Sequence, residues 1–310
     1  MRKKLDHVLS VKQLMDVALL QDLFEIAWEF ERDEVERSQR TRLSGRIMAS
    51  MFYEPSTRTR FSFEAAMQRL GGGVLTAENA VDNSSSAKGE SIADTARIIG
   101  GYADAIVMRH FQKGAVREAA MASPVPVITA GDGAGEHPTQ ALLDTYTIRK
   151  ELGRLHGLRV AVVGDLKNGR TVHSLLPLLS LFPGLHVTLI APPSLRLPRE
   201  NVAELQERGV VLQETEEFTV ETLCAADVVY MTRVQQERFD SVAEYEAVKS
   251  VYVLTEEIAD QLKPEAIILH ALPRLEELPA GVDRNLRAAY FKQAKNGLYV
   301  RMALLAYLLE

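Results

Sequence analysis

A single cysteine in 310 residues leaves nothing for an intrachain disulfide to join, so a fold stapled by such bridges is excluded. Cys224 lies in an apolar stretch, Leu223 to Ala226, and is expected to be a buried thiol. Long hydrophobic runs are also missing, since no window approaches the ~20 apolar residues of a membrane span. The opening MRKKLDHVLSVKQ is basic but has no apolar region behind it, which argues against a targeting leader. A formal charge of −6 argues against a nucleic-acid surface, so any basic cluster should be local and purposeful. The seven histidines form no i, i+4 pair and have no cysteine partners, which gives no metal site. The expectation is a cytoplasmic protein that needs no cofactor and binds neither membrane nor nucleic acid.

Length exceeds a single core of about 100–150 residues, so two domains are expected. Leu20, Leu23, Phe24, Ala27 and Trp28 repeat with helical spacing and place Trp28 in a core. Short apolar runs then alternate with helical patterns: strands at Ile47–Phe52, Val74–Ala77, Ala105–Met108 and Val125–Ala130, helices at Phe61–Leu70 and Ile92–Ile99. A helix from Pro138 to Leu152 links this half to a second. There, strands are read at Arg159–Val163, His186–Ile190, Val210–Gln213, Asp227–Met231 and Ala266–His270, with helices such as Val172–Phe182 and Arg199–Arg208. Such alternation predicts an α/β chain of two doubly wound parallel-sheet domains, 1–137 and 138–292, with a C-terminal helix at about 293–310 packing back on the first domain. Ligands should bind at the carboxyl ends of the strands. Asn83 to Gly89 reads as a polar loop.

The densest chemistry is Ser56-Thr57-Arg58-Thr59-Arg60, set between a strand and a helix. A helix starting there aims backbone N–H groups, hydroxyls and a guanidinium at one small volume, which is a phosphate site. The bland alternative is a serine cap with two solvated arginines. Gly164 to Thr171 misses the nucleotide P-loop pattern because Arg170 stands where its lysine belongs, and no Gly-x-Gly-x-x-Gly opens this domain. Arg170 is better suited to a carboxylate, which it can grip bidentately. His137 and Gln140 flank the start of the linking helix and are expected to face the interdomain cleft. A neutral imidazole there donates one hydrogen bond to a carbonyl oxygen. Arg109, Arg233 with Gln235, and His270-Ala271-Leu272-Pro273-Arg274 all follow strands, at the ligand edge.

In order and spacing these motifs resemble the aspartate transcarbamoylase catalytic-chain family, over most of both halves. The resemblance implies transfer of the carbamoyl group of carbamoyl phosphate to the α-amine of L-aspartate, giving N-carbamoyl-L-aspartate and phosphate for pyrimidine synthesis. It implies that Ser56, Thr57, Arg58 and Thr59 hold the phosphate, with Arg109 reaching phosphate and carbonyl oxygen. Thr59, Arg109 and His137 would polarise the carbonyl, while Gln140 and the backbone carbonyls of Leu272 and Pro273 accept from the carbamoyl amide. Arg170, Arg233 and Gln235 would grip the two carboxylates of aspartate. Ser84 and Lys88 would enter from a neighbouring subunit of a homotrimer, to which a regulatory chain or another pyrimidine-pathway enzyme could add.

Two positions depart from the family pattern: Ala87, where relatives often carry a second lysine, and Ala271, where they often carry proline. Neither removes a named contact. The related ornithine branch uses His-Pro-Cys-Gln, Ser-Met-Gly and His-Cys-Leu-Pro where this chain has Thr139, Arg233-Val234-Gln235 and Ala271, so ornithine is the second substrate reading. An inactive scaffold paralogue is the reading from another class.

Overall fold

The computed structural model describes every residue except 1–4, 37, 84–88, 134, 235–238, 240, 247 and 250. Its contacts divide the chain into two units, residues 1–142 with 295–310, and residues 143–294. Each is a parallel sheet flanked by helices.

In the first unit, β1 (Ile47–Phe52), β2 (Gly73–Glu78), β3 (Ala105–His110) and β4 (Val127–Asp132) form a sheet of order β2-β1-β3-β4. β1 and β3 are buried almost throughout, the pattern of a strand covered on both faces, whereas the edge strand β2 is largely exposed. Met51, Ile106 and Met108 pack with Ala96, Val116 and Ala119 from the helices Ile92–Gly100 and Ala115–Ala122. The second of these helices is absent from the sequence reading. Val8 extends the sheet by bonding the backbone of Val127 and Thr129. The C-terminal helix, Tyr290–Leu309, has its final fifteen residues in this unit with Glu310, where Lys295 pairs with Glu34.

In the second unit, β5 (Arg159–Val163), β6 (His186–Ile190), β7 (Val211–Thr215), β8 (Val228–Met231) and β9 (Ile267–His270) run in the order β7-β6-β5-β8-β9. Val163, Val229, Met231 and Ile268 lead its core, closed by Leu254, Leu278 and Tyr290.

Both sheets reverse direction of growth beside their first strand, between β1 and β3 and between β5 and β8. An aspartate secures the amino end of each of these pairs. Asp104 accepts the Ile47 N–H at 2.8 Å and binds Arg46. Asp227 accepts the Arg159 N–H at 2.9 Å and meets Lys263 and Arg154. Burial alone would raise the Asp227 carboxyl; the bonds from Lys263, Arg159 and Arg154 outweigh it and hold the group below its ordinary value.

Two sequence expectations are corrected. Trp28 is 48% exposed, because the helix Val17–Arg32 buries the face carrying Leu20, Leu23, Phe24 and Ala27 and turns the indole outward. Cys224 is exposed, its thiol donating to the Glu221 carbonyl, because the short helix Val220–Leu223 ends on the surface and buries Leu223 instead.

A depressed carboxyl stabilises the fold fully above its unfolded value of about 3.9, and that contribution is lost as pH falls through the lower folded value. Asp227→Asn should therefore cost about 1–2 kcal/mol at neutral pH. Urea denaturation across a pH series should show the gap to the wild type closing below about pH 4. A gap that stays constant into that range would show that the charge is not what secures the strand ends.

Candidate active site

At the carboxyl end of β1 the chain passes Glu54 and Pro55 and enters the helix Thr57–Arg69 with Ser56 at its cap. The Ser56 side chain makes no capping bond, and the first turn carries no acidic residue. The turn is thus left with its N–H groups and positive dipole end to offer an anion. Thr57 and Arg58 are exposed, while Thr59 is buried. Arg60, by contrast, is structural: its guanidinium is mostly buried and binds Glu78 at 2.7 Å and Glu64 at 3.6 Å. Glu64 also accepts the hydroxyls of Ser50 and Thr76, so the helix is pinned to β1 and β2. Of the two arginines in the motif, Arg58 alone is exposed.

Arg109 is the fifth residue of β3, inside the strand rather than after it, and is in register with Phe52. Glu54 pairs with its guanidinium, and Nη1 donates to the Ala130 carbonyl at 3.2 Å. Burial lowers the Arg109 pKa, and the charge of Glu54 works against that shift. Glu54 was missed in the sequence; a carboxylate beside an arginine-rich helix cap is the signal that could have marked it.

After β4, Gly133 turns with φ +55°, where a Cβ would lie 2.6 Å from the Phe111 carbonyl. Glu136 accepts the Ser10 hydroxyl at 2.9 Å and the Val11 N–H, tying the loop to the N-terminal segment. His137, buried, then offers its carbonyl to the N–H groups of Gln140 and Ala141 at the start of the helix Pro138–Leu152. Ser56, Thr57, Arg58, Thr59, Arg109, His137 and Gln140 thus issue from the carboxyl ends of β1, β3 and β4, around the first switch point.

In the second unit, Gly164 follows β5 with φ +112°, and a Cβ on it would meet the Thr232 carbonyl at 2.5 Å. Glycine is required because the ends of β5 and β8 approach this closely. Buried Asp165 accepts the Asn168 backbone N–H at 2.9 Å, folding the loop so that Arg170 becomes the first residue of the helix Arg170–Leu179. Arg233 follows Thr232 at the end of β8, so both guanidiniums belong to the second switch point.

His270, the last residue of β9, is buried. Its Nδ1 accepts the Leu272 N–H at 2.8 Å, which leaves the proton on Nε2 for Glu277 at 2.9 Å. Burial alone would raise Glu277, but bonds from His270 and Leu275 hold it below the usual carboxylate value. These contacts shape the turn at Leu272, which has φ +55° and a cis bond to Pro273. The side chains of Glu277 and Gln293 carry no motif in the sequence. Ser84, Lys88 and Gln235 lie outside the described residues.

Open parallel sheets with arginines and a bare helix N-terminus at their switch points define an α/β enzyme for small anionic substrates. The chain belongs to the aspartate/ornithine carbamoyltransferase family: residues 6–150 match its carbamoyl-P binding domain and residues 156–308 its Asp/Orn binding domain. It is 50% identical over 307 residues to an Arabidopsis thaliana chloroplastic aspartate carbamoyltransferase, covering 99% of this chain and 78% of that protein. The catalytic subunit of M. jannaschii aspartate transcarbamoylase aligns with a TM-score of 0.90 at 44% identity, over 98% of each chain. The Trypanosoma cruzi enzyme solved with carbamoyl phosphate and aspartate gives 0.93 at 41%, over 99% of this chain and 98% of that one.

Gly164→Ala should cost about 2–3 kcal/mol, through both the positive φ and the forced separation of β5 from β8. Urea midpoints measure this. A variant as stable as the wild type would mean that these strand ends part freely.

Proposed function

We propose that the chain transfers the carbamoyl group of carbamoyl phosphate to the α-amine of L-aspartate, releasing N-carbamoyl-L-aspartate and phosphate in pyrimidine biosynthesis. The observation that carries this reading is the helix N-terminus at Ser56, which keeps its first-turn N–H groups uncapped by Ser56 while exposing Arg58. There Ser56, Thr57, Arg58 and Thr59 hold the phosphate, with Arg109 shared between phosphate and carbonyl oxygen. Thr59, Arg109 and His137 donate to the oxygen as the amine attacks and it becomes an oxyanion. Gln140 and the carbonyls of Leu272 and Pro273 accept from the carbamoyl amide. Arg170, Arg233 and Gln235 take the two carboxylates, because a dicarboxylate needs a cation for each end. With no strong general base in this set, the departing phosphate takes the amine proton.

Aspartate is favoured over ornithine because Arg233 stands at the end of β8, where a second cationic amine would be repelled. The enzyme works in the cytoplasm as a homotrimer in which Ser84 and Lys88 complete a neighbour's site. The open edge strand β2, with exposed Leu75 on it and exposed Phe61, Val81 and Ile98 in the same unit, supports a subunit contact through the first unit. A regulatory chain or another pathway enzyme is the further partner this reading admits.

Arg233→Ala should raise the KM for aspartate far more than that for carbamoyl phosphate and cost on the order of 10²-fold in kcat/KM. Steady-state assays of carbamoyl aspartate formation, with ornithine as control, measure both; unchanged constants would refute the aspartate assignment. Arg58→Ala should fold normally and lose nearly all turnover, since it removes charge from the leaving phosphate.

Subunit sharing has its own test. Arg58→Ala and Lys88→Ala, dissociated together and reassembled, should regain activity that neither recovers alone. Mixed trimers that form and stay inactive would withdraw the role of Ser84 and Lys88.

A further inference from the structure

Asp144 is fully buried and belongs to none of the substrate contacts assigned above. A buried carboxylate is costly to desolvate and adds little to stability that an apolar side chain would not, so its retention calls for a reason. Its two oxygens face different arms of one polar chain within the second unit. Oδ2 accepts the Tyr230 hydroxyl at 2.8 Å, and Oδ1 accepts Nε2 of Gln293 at 2.6 Å. Tyr230 and Gln293 are buried as completely as Asp144.

An ionised carboxylate can only accept, and that fact sets the polarity of everything attached to it. The Gln293 amide must turn its N–H toward Asp144, so its oxygen faces away and accepts the His270 backbone N–H at 2.9 Å. His270 in turn holds the Leu272 N–H, two residues into the loop whose carbonyls are assigned to the carbamoyl amide. On the other arm the Tyr230 hydroxyl is committed to Asp144. Tyr230 itself lies three residues before Arg233 on β8. One carboxylate thus sets the hydrogen-bond direction at β8 and at the carboxyl end of β9 together.

We propose that Asp144 is a positioning residue for the aspartate half of the site, orienting Arg233 through Tyr230 on β8 and the Leu272-Pro273 carbonyls through Gln293 and His270. This rests on the aspartate reading given above.

The test is an exchange of the two side chains. Asp144→Asn presents an N–H₂ to one arm and reverses its polarity. The KM for aspartate should rise about tenfold or more, the scale of one mispaired buried group, while the KM for carbamoyl phosphate stays within about twofold. Gln293→Glu alone sets two buried carboxylates together and should be worse. In Asp144→Asn/Gln293→Glu the amide at 144 donates to the carboxylate at 293 and still accepts from Tyr230, while that carboxylate still accepts from His270. Aspartate KM should return to within about threefold of the wild type, well beyond what the two single effects multiply to.

A folded Asp144→Asn with wild-type aspartate KM, an equal rise in both KM values, or a double variant no better than the singles combined would overturn the positioning role. Arg233→Ala assayed alongside separates the two readings. If it raises aspartate KM while Asp144→Asn does not, only the role of Asp144 falls; if it leaves aspartate KM unchanged, the aspartate reading falls and this inference with it.

Discussion

Parallel strands that part company at a switch point leave a crevice at their carboxyl ends, and the chemistry of this chain depends on how that crevice is held open. In each unit the two strands concerned are clamped at the opposite end by an aspartate, Asp104 under β1 and β3 and Asp227 under β5 and β8. The clamp satisfies the first N–H of the central strand and draws in lysine or arginine to neutralise itself. With the pairing settled there, the carboxyl ends are free to carry functional groups instead of structural ones. Glycine marks a place where even these ends touch, at Gly164 against Thr232.

Charge along the same motif is divided between an exposed guanidinium and a mostly buried, paired one. Arg58 and Arg60 are two residues apart in one helix, yet one is exposed beside the helix start and the other is bound to Glu78 and Glu64. A helix turns by 100° per residue, so side chains two apart point to nearly opposite faces. Arg109 is held in place by Glu54 and by the Ala130 carbonyl. Such support keeps a guanidinium in one geometry without a substrate, which lowers the entropy lost on binding.

The fold was legible in the sequence because both faces of the central strands are covered, so these appear as continuous apolar runs separated by helical periods. Ile47–Phe52, Arg159–Val163 and His186–Ile190 have the bounds read from the sequence. Helix starts were less well read: Arg170 opens a helix that apolar periodicity placed from Val172, because its first turn is polar and set by Asp165 and Gly169. Trp28 and Cys224 show the reverse limit, as apolar neighbours in sequence do not fix which side chain of a helix turns inward. The residues assigned to substrate were read from local motifs. Asp144 and Gln293 pair with partners distant in sequence, and nothing local signals such a pairing.

Fastening each sheet at the end remote from its crevice has a consequence for how such a chain can change over generations. Apart from positions such as Gly164 that the backbone itself requires, residues following β1, β3, β5, β8 and β9 can be exchanged, lengthened or recharged while Asp104 and Asp227 continue to keep the strands in register. Substrate preference and structural integrity are thereby placed under separate selection. A lineage can trade one amino-acid acceptor for another by rewriting loops, with its scaffold inherited intact.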